Sequence, residues 1–344
     1  MDFIVFSDFH ANLWQEFSKP DMEYGNTRFR EMVEVLEEVI SLAKTNNASI
    51  IFTGDLFHQR NKVDTIVYNT MFNLVSSSGV DWILLRGNHD SVDNSLGSET
   101  SLYPFGDLPN VKLVDKPENF EYEGISITAV PYGDEVDEIK EFIENATFKD
   151  TSKPKVLIAH FGVAGATTGT QSHRLEGAIS YADLQPDYFS AVLLGHYHNR
   201  QNLGGNPNVV YVGNTLQTSF GDINQAKGVY VFDKDFTGIE FLPIKSKRFL
   251  TIDGDNIPDN IEDLIKDNYV RFRGNAKQSE IFKSEGVDTS TVRVELTREF
   301  KHDTRLKGIE ATSSPEHIVK SYAEQYYPDT GVASKALACL KEVQ

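Results

Sequence analysis

Five short apolar stretches of this chain, Phe3–Phe6, Ser49–Thr53, Trp82–Leu85, Val156–Ala159 and Ala191–Leu194, each give way at the carboxyl end to polar donors. The donor clusters are Asp8-Phe9-His10, Gly54-Asp55-Leu56-Phe57-His58, Gly87-Asn88-His89-Asp90, His160 and Gly195-His196-Tyr197-His198, and they hold six of the nine histidines. Apolar runs this short, bounded by turn residues, read as strands buried on both faces. The carboxyl ends of such strands converge on one edge of an open α/β sheet, where side chains from distant parts of the sequence meet. The fold class is therefore α/β. Between the first two strands, Phe29, Met32, Val33, Leu36, Val39, Ile40 and Ala43 recur at helical spacing. With Thr27 as candidate cap, they predict a helix that packs on the sheet.

Histidine nitrogens combined with carboxylate and amide oxygens suit borderline divalent metals. Two such ions about 3.5–4 Å apart clamp the attacking and leaving oxygens of a phosphoester, so metal-assisted phosphodiester hydrolysis is the chemistry expected. Asp8 and His10 are two apart at a strand end, and an extended chain points both the same way, toward one ion. His196 and His198 share that spacing, but Gly195 leaves the backbone room to turn and deliver each imidazole to a different ion. Asp55 is the best candidate for a bridge, because a carboxylate has two oxygens and Gly54 permits close backbone approach. The expected sets are Asp8, His10, Asp55 and His198 for one ion, and Asp55, Asn88, His160 and His196 for the other. A water acidified by the metals would attack phosphorus, and the leaving alkoxide needs a proton. His89, beside a ligand but not in either set, is the candidate general acid, with Asp90 orienting its imidazole. His58 is a candidate second proton or hydrogen-bond donor.

Each cluster alone is a weak signal, since a histidine in a buried strand is ordinarily structural and Asn-His-Asp can arise as a turn. Jointly, five clusters that supply seven ligands and an acid make an active site the better reading. His173, His302 and His317 belong to no cluster and read as surface or capping residues.

The 344 residues are enough for about two domains, and 40% hydrophobic residues suffice for a sizeable core. A net charge of −18 excludes a protein that grips nucleic acid over its whole surface. Any DNA contact has to be local, metal-mediated or supplied by a partner. Cys339 is the only cysteine, which excludes an internal disulfide and fits a cytoplasmic setting. Phe3–Phe6 lacks a basic leader and no apolar run approaches about 18 residues, so neither a signal peptide nor a membrane span is expected.

Later stretches divide the chain further. Val209–Val212, Gly228–Phe232 and Ile239–Leu242 read as strands, the last two joined by a hairpin loop at 233–238. From Lys245 to Lys307, 13 basic and 12 acidic side chains nearly balance, which leaves −19 for the remainder. DNA contact is least opposed there. Val292, Val294 and Leu296 alternate with Arg293, Glu295 and Thr297 as a half-exposed strand, and Tyr269 to Arg273 forms another. These arginines serve either as a solvated strand face or as nucleic-acid contacts. Ser314-Pro315-Glu316 opens a helix with the stripe Ile318, Val319, Tyr322, Ala323 and Tyr326. Beyond Pro328, Ala333, Ala336, Leu337, Leu340 and Val343 mark a second helix. Such a pair either folds back on the body or docks on a partner.

In this order, the motifs resemble the calcineurin-like metallophosphoesterase superfamily. Gly54-Asp55-Leu56-Phe57-His58 with Gly87-Asn88-His89-Asp90 resembles the SbcD family of DNA break-processing nucleases, including the phage recombination endonuclease small subunits. Phe57-His58-Gln59-Arg60 departs from the Asp-Arg that the serine/threonine phosphatase branch carries there, and Tyr211 through Thr215 to Lys227-Gly228 fits the family's run beyond its last metal motif. The resemblance implies a four-layer α/β/β/α sandwich over 1–243, a small α+β DNA-capping domain over 244–307, and C-terminal helices over 308–344. It implies two manganese ions, with magnesium as substitute, and 3′–5′ exonuclease plus endonuclease activity on DNA. It implies also a coiled-coil ATPase partner of the SbcC type that binds the terminal helices, and a homodimer. Two alternatives stand beside this reading: a phosphodiesterase or phosphatase of the same superfamily acting on small phosphoesters or RNA, and a non-catalytic adaptor. An intact His89 and His58 oppose the adaptor, which has no use for a proton donor.

Overall fold

The structure is a computed structural model, and it describes residues 2–148, 150–167, 179–284, 291–297, 306, 309, 312–328 and 330–343. In chain order, β1 (Phe3–Phe6) is followed by the short hairpin β2 (Pro20–Asp21) and β3 (Gly25–Asn26), α1 (Thr27–Thr45), β4 (Ser49–Phe52), α2 (Thr65–Ser76) and β5 (Trp82–Leu85). Next come β6 (Val111–Val114), β7 (Glu118–Tyr122), β8 (Ile125–Val130), α3 (Val136–Glu144), β9 (Lys155–His160) and β10 (Ala191–Gly195). β11 (Gln201–Asn202), β12 (Val209–Tyr211), β13 (Gly228–Phe232) and β14 (Ile239–Pro243) complete the central strands. A third group comprises β15 (Arg248–Asp253), α4 (Ile261–Asp267), β16 (Asn268–Gly274), α5 (Ala276–Ser284) and β17 (Val292–Leu296).

The motif-bearing strands do not lie in one open sheet, as the sequence pattern alone implied. They divide between two six-stranded sheets, ordered β14-β13-β1-β4-β5-β6 and β11-β12-β10-β9-β8-β7. The reason lies in the strands' two apolar faces. In β1, Phe3 and Val5 face one core while Ile4 and Phe6 face another, and β4 and β5 alternate the same way. One core lies between the sheets, where Phe3, Val5, Ile51 and Ile83 meet Ile127, Val156, Ile158 and Leu193. The second lies under α1 and α2, and the third under α3 against Leu157, Ala159, Val192 and Leu194. This is an α/β/β/α arrangement. Strands β1, β4 and β5 run parallel, as do β8, β9, β10 and β12, so the motif-bearing carboxyl ends within each sheet share an edge.

Beyond the strand ends the first two motif loops stay paired. Asp8 N–H donates to Gly54 O at 2.9 Å, His10 N–H to Asp55 O at 3.0 Å and Ala11 N–H to Leu56 O at 2.8 Å. The expected cap of α1 is displaced by one residue. Asn26, not Thr27, is the N-cap, its Oδ1 accepting from Phe29 N–H at 2.9 Å, while Thr27 Oγ1 accepts from Lys19 N–H. Asparagine at this position is as good a cap as the rules recognise, and here it also donates to Trp14 O at 3.1 Å.

The sheet β15-β16-β17 has its own small core of Ile252, Ile261, Val270, Phe272, Phe282 and Val292. Phe249 and Tyr269 meet Phe17 and Phe220 of the central body, and the Arg28 guanidinium sits 4.7 Å from the Tyr269 ring centre. By compactness the chain separates into Met1–Glu295 and Leu296–Gln344. The second unit contains α6 (Pro315–Tyr326), capped by Ser314 Oγ as the sequence predicts, and α7 (Val332–Val343). Of the α6 stripe, Ala323 is buried and Ile318, Tyr322 and Tyr326 are exposed. Among the described residues no helix is long and apolar enough to cross a membrane.

Replacing Asn26 by Ala removes a cap and the tie to Trp14, and should cost about 1–2 kcal/mol in urea unfolding. Thr27→Ala should cost less, and the reverse order would return the cap to Thr27.

Candidate metal centre

The ends of β1, β4, β5, β9 and β10 bring Asp8, His10, Asp55, Asn88, His160, His196 and His198 together, all buried except the half-buried His198. Four of the seven, Asp8, His10, Asp55 and His196, have positive φ, at 50°, 52°, 63° and 94°. The extended geometry expected for Asp8-Phe9-His10 is therefore absent: the chain turns at both residues once the strand has ended. Aspartate and histidine tolerate this left-handed region better than most side chains, but it remains a strained choice.

Glycines create the room. A Cβ at Gly54 would lie 2.2 Å from His160 Nδ1, one at Gly87 would lie 2.1 Å from Asp55 Oδ1, and one at Gly195 would lie 2.3 Å from Thr53 O. None of these contacts can be relieved without moving a clustered side chain or the backbone.

The donors converge from two sides on Asp55. Its Oδ2 lies 3.7 Å from His10 Nε2 and 3.4 Å from His160 Nε2. On one side, His10 Nε2 is 2.9 Å from His198 Nε2 and 3.9 Å from Asp8 Oδ1. On the other, Asn88 Oδ1 is 3.1 Å from both His160 Nε2 and His196 Nδ1. The residues of both expected sets thus lie close together, and Asp8 also comes near Asp55 and His160 across the two sets. His160 Nδ1 donates to Thr53 O at 2.7 Å, since a carbonyl only accepts, and this bond leaves Nε2 as the ring nitrogen that faces the centre.

The charge balance fits a cation. Asp8 and Asp55 are almost completely buried, and among the described residues neither meets a lysine or arginine within 4 Å. Burial raises the Asp8 pKa. For Asp55 burial acts in the same direction, yet the surrounding His160, His89 and His10 hold it well below the carboxylate range. Burial opposes the charged form of His160, but Asp55, Asp8 and the Thr53 carbonyl hold its pKa up at about 9. A ring proton thus does here what a bound metal ion does better, and a histidine and carboxylate donor set with carbonyl-fixed rings suits one.

His58 and His89 stack at 5.4 Å beside His10, and Trp14 covers His58 at 4.3 Å between ring centres. Burial, and then His89, push the His58 pKa down to about 4, so at neutral pH its ring is uncharged and can act as a hydrogen-bond donor. The expected partnership of Asp90 with the His89 ring is corrected. His89 Nδ1 donates to His58 O, and the Asp90 carboxylate accepts instead from Asp55 N–H at 2.9 Å, Phe57 N–H at 3.0 Å and Gly87 N–H at 3.0 Å. These three backbone donors belong to the loops 54–58 and 87–90, which Asp90 thereby joins. His317 lies far along the chain as an exposed residue whose N–H reaches Ser314 Oγ; His173 and His302 fall outside the described residues.

Sequence reading missed Arg86 and Trp14. Arg86 is fully buried, and its guanidinium donates to Asp115 O, Leu96 O, Tyr132 O and Ser91 Oγ, which shapes the loop after Asn88. A charge placed directly between the apolar Trp82–Leu85 and the Gly87 motif was the available signal.

Residues 1–200 match the family described as calcineurin-like phosphoesterase. The chain is 26% identical over 226 residues to exonuclease subunit 1 of Enterobacteria phage T4, covering 61% of this chain and 60% of that protein. The match thus spans less than two thirds of the phage protein's length. It is 25% identical over 287 residues to the SbcD nuclease subunit of Staphylococcus epidermidis, covering 74% and 72% of the respective chains. A dimetal phosphatase from Danio rerio covers 71% of this chain and 99% of its own with a TM-score of 0.41 and 8% identity. With a family match over more than half its length and a cluster able to bind metal ions at its strand ends, the chain belongs to the calcineurin-like phosphoesterase family.

Proposed function

We propose that this phosphoesterase is a DNA nuclease that uses two divalent cations, manganese by preference and magnesium as substitute, for 3′–5′ exonucleolytic and endonucleolytic cleavage. The observation that carries the reading is Asp55, whose Oδ2 stands between the imidazole of His10 and that of His160. One ion would be held by Asp8, His10, Asp55 and His198, the other by Asp55, Asn88, His160 and His196. Bound there, the pair supplies an acidified water and neutralises charge that develops on phosphate oxygens.

The protein's own groups do the rest. His89, oriented by its Nδ1 bond to the His58 carbonyl, presents its other ring nitrogen as the proton source for the leaving oxygen. His58 donates a hydrogen bond to a phosphate oxygen, with Trp14 restricting its ring. Asp90 is a positioning residue, holding the Asp55 and Asn88 loops at a fixed separation.

Choice of DNA is supported by the relatives named as nucleases and by Arg271, Arg273 and Arg293, which gather around Glu295 on the sheet β15-β16-β17. We assign 1–243 to the nuclease domain, 244–307 to a DNA-capping domain and 308–344 to the binding of a coiled-coil ATPase partner of the SbcC type, with a homodimer as the working assembly in the cytoplasm.

Assay of the purified chain with manganese on linear duplex DNA, single-stranded DNA, RNA and a chromogenic phosphodiester should show DNA cleavage lost on chelation. Hydrolysis of the small diester or RNA with DNA left intact would place the chain with the small-substrate phosphodiesterases. His89→Ala should retain two ions by metal analysis while cleavage falls about 10²–10⁴-fold; unchanged cleavage would mean another group supplies the proton. His160→Ala should lose one ion of the pair, and full occupancy of both sites by anomalous scattering from manganese would overturn that ligand set.

A further inference from the structure

His198 is the least buried of the seven donors, so the core does less to hold it than any other. Its imidazole nevertheless meets His10 Nε2 at 2.9 Å. The backbone around it is pinned at two points. Two residues earlier, His196 N–H donates to both oxygens of Asp8 at 3.1 Å. At His198 itself the carbonyl accepts from Lys227 Nζ at 2.8 Å and from Asn214 N–H at 3.3 Å. Gly213 allows this approach, since a Cβ there would lie 3.0 Å from His198 O.

Lys227 is an unusual residue to find at this place. It is 6% exposed, and placing an ammonium beside a centre built for cations is unfavourable unless the charge is neutralised. Asp222, 4% exposed, does so at 3.3 Å. An ammonium has three N–H groups, and here all are used: His198 O, Gln225 Oε1 at 2.5 Å and Asp222 Oδ1. None remains for a phosphate. The other Asp222 oxygen accepts from Thr218 N–H at 3.0 Å, Thr218 Oγ1 at 3.1 Å and Ser219 N–H at 3.2 Å, which fixes the pair within the connection from β12 to β13.

We propose that Lys227, neutralised by Asp222, is a positioning residue that fixes the His198 carbonyl and so aims its imidazole at one of the two metal sites. This inference rests on the assignment of His198 as a ligand. Removing the ammonium frees the half-buried end of the segment, and the ion held by His198 is weakened while its neighbour, held by Asn88, His160 and His196, is not. Loss of a group that orients a ligand typically costs 10–100-fold in metal affinity.

A single Lys227 variant would strand the Asp222 charge and could destabilise the fold, so the test uses the double variant Asp222→Asn/Lys227→Met, in which Asn keeps an oxygen for Thr218 and Ser219. Manganese is titrated calorimetrically into the full native chain, a His198→Ala variant and the double variant, with melting of each metal-free protein measured in parallel. The native chain should take up two ions, and His198→Ala identifies which of them depends on that ring. The double variant should melt close to the native protein yet bind that same ion at least tenfold more weakly, with the other ion unchanged. Native affinity at both sites in a folded double variant overturns the proposal, and so does a double variant that fails to fold, because the pair would then serve the fold. A native chain that binds no manganese pair refutes the ligand assignment instead, whatever Lys227 does.

Discussion

The Asp90 carboxylate, fully buried and bonded to three backbone N–H groups, is the interaction on which the rest of the centre depends. Two of those donors are the N–H groups of Asp55 and Phe57 and the third is that of Gly87, so one side chain sets the separation of the second and third motif loops. The arrangement is unfavourable by itself. Burial, and then the neighbouring Asp55, raise the Asp90 pKa to about 6, which shows how poorly a second negative charge is tolerated there. Left-handed backbone adds to the cost: at about 1–3 kcal/mol for each strained residue, Asp8, His10, Asp55 and His196 together consume a sizeable part of the roughly 5–15 kcal/mol that keeps a domain folded. The packed strands on which these loops stand carry that load. A cation that binds only the folded state offsets more of it by mass action.

Much of the strand layout was legible because buried strands write themselves as short apolar runs. Phe3–Phe6, Trp82–Leu85 and Gly228–Phe232 match the reading residue for residue. What the runs could not say is how many sheets they form, since β1 and β9 look alike although they lie in different ones. The edge strand β7 escaped for the opposite reason, although the edge strand β14 did not. Glu118–Tyr122 alternates half-exposed and exposed positions, and its pattern has no apolar core to announce it. The helices α2 and α3 were likewise passed over, α2 because apolar residues cover most of its surface and so weaken the periodicity.

At the centre, which donors gather was legible and backbone geometry was not. Donor chemistry picks out Asp, His and Asn wherever they stand, so the residues that cluster around Asp55 could be read before any coordinate. The direction in which Asp8 and His10 point depends on φ, which residue type constrains only weakly for aspartate and histidine. The role of Asp90 was misread for a related reason. Adjacency in Asn88-His89-Asp90 favoured a side-chain partnership, whereas the tight turn at Gly87 aims the carboxylate at backbone N–H groups three and more residues away.

The acidic balance of the chain gains a physical sense from Glu295. Arg273 Nε lies 2.8 Å from one of its oxygens, Arg293 Nε 2.9 Å and Arg271 3.6 Å from the other, so three guanidinium groups converge on one carboxylate, and Arg293 also reaches Glu16 at 3.1 Å. Hydrogen bonding from Arg273 lowers the Glu295 pKa, which keeps the carboxylate charged near neutrality. Exposed pairs of this kind are worth about 0–1 kcal/mol each, because water competes for both partners. Under the nuclease reading, a phosphate backbone with its closely spaced charges can therefore draw these arginines from Glu295 at small cost, and the local net charge of the cluster is already positive. Such a surface is a local positive patch in a protein of net charge −18.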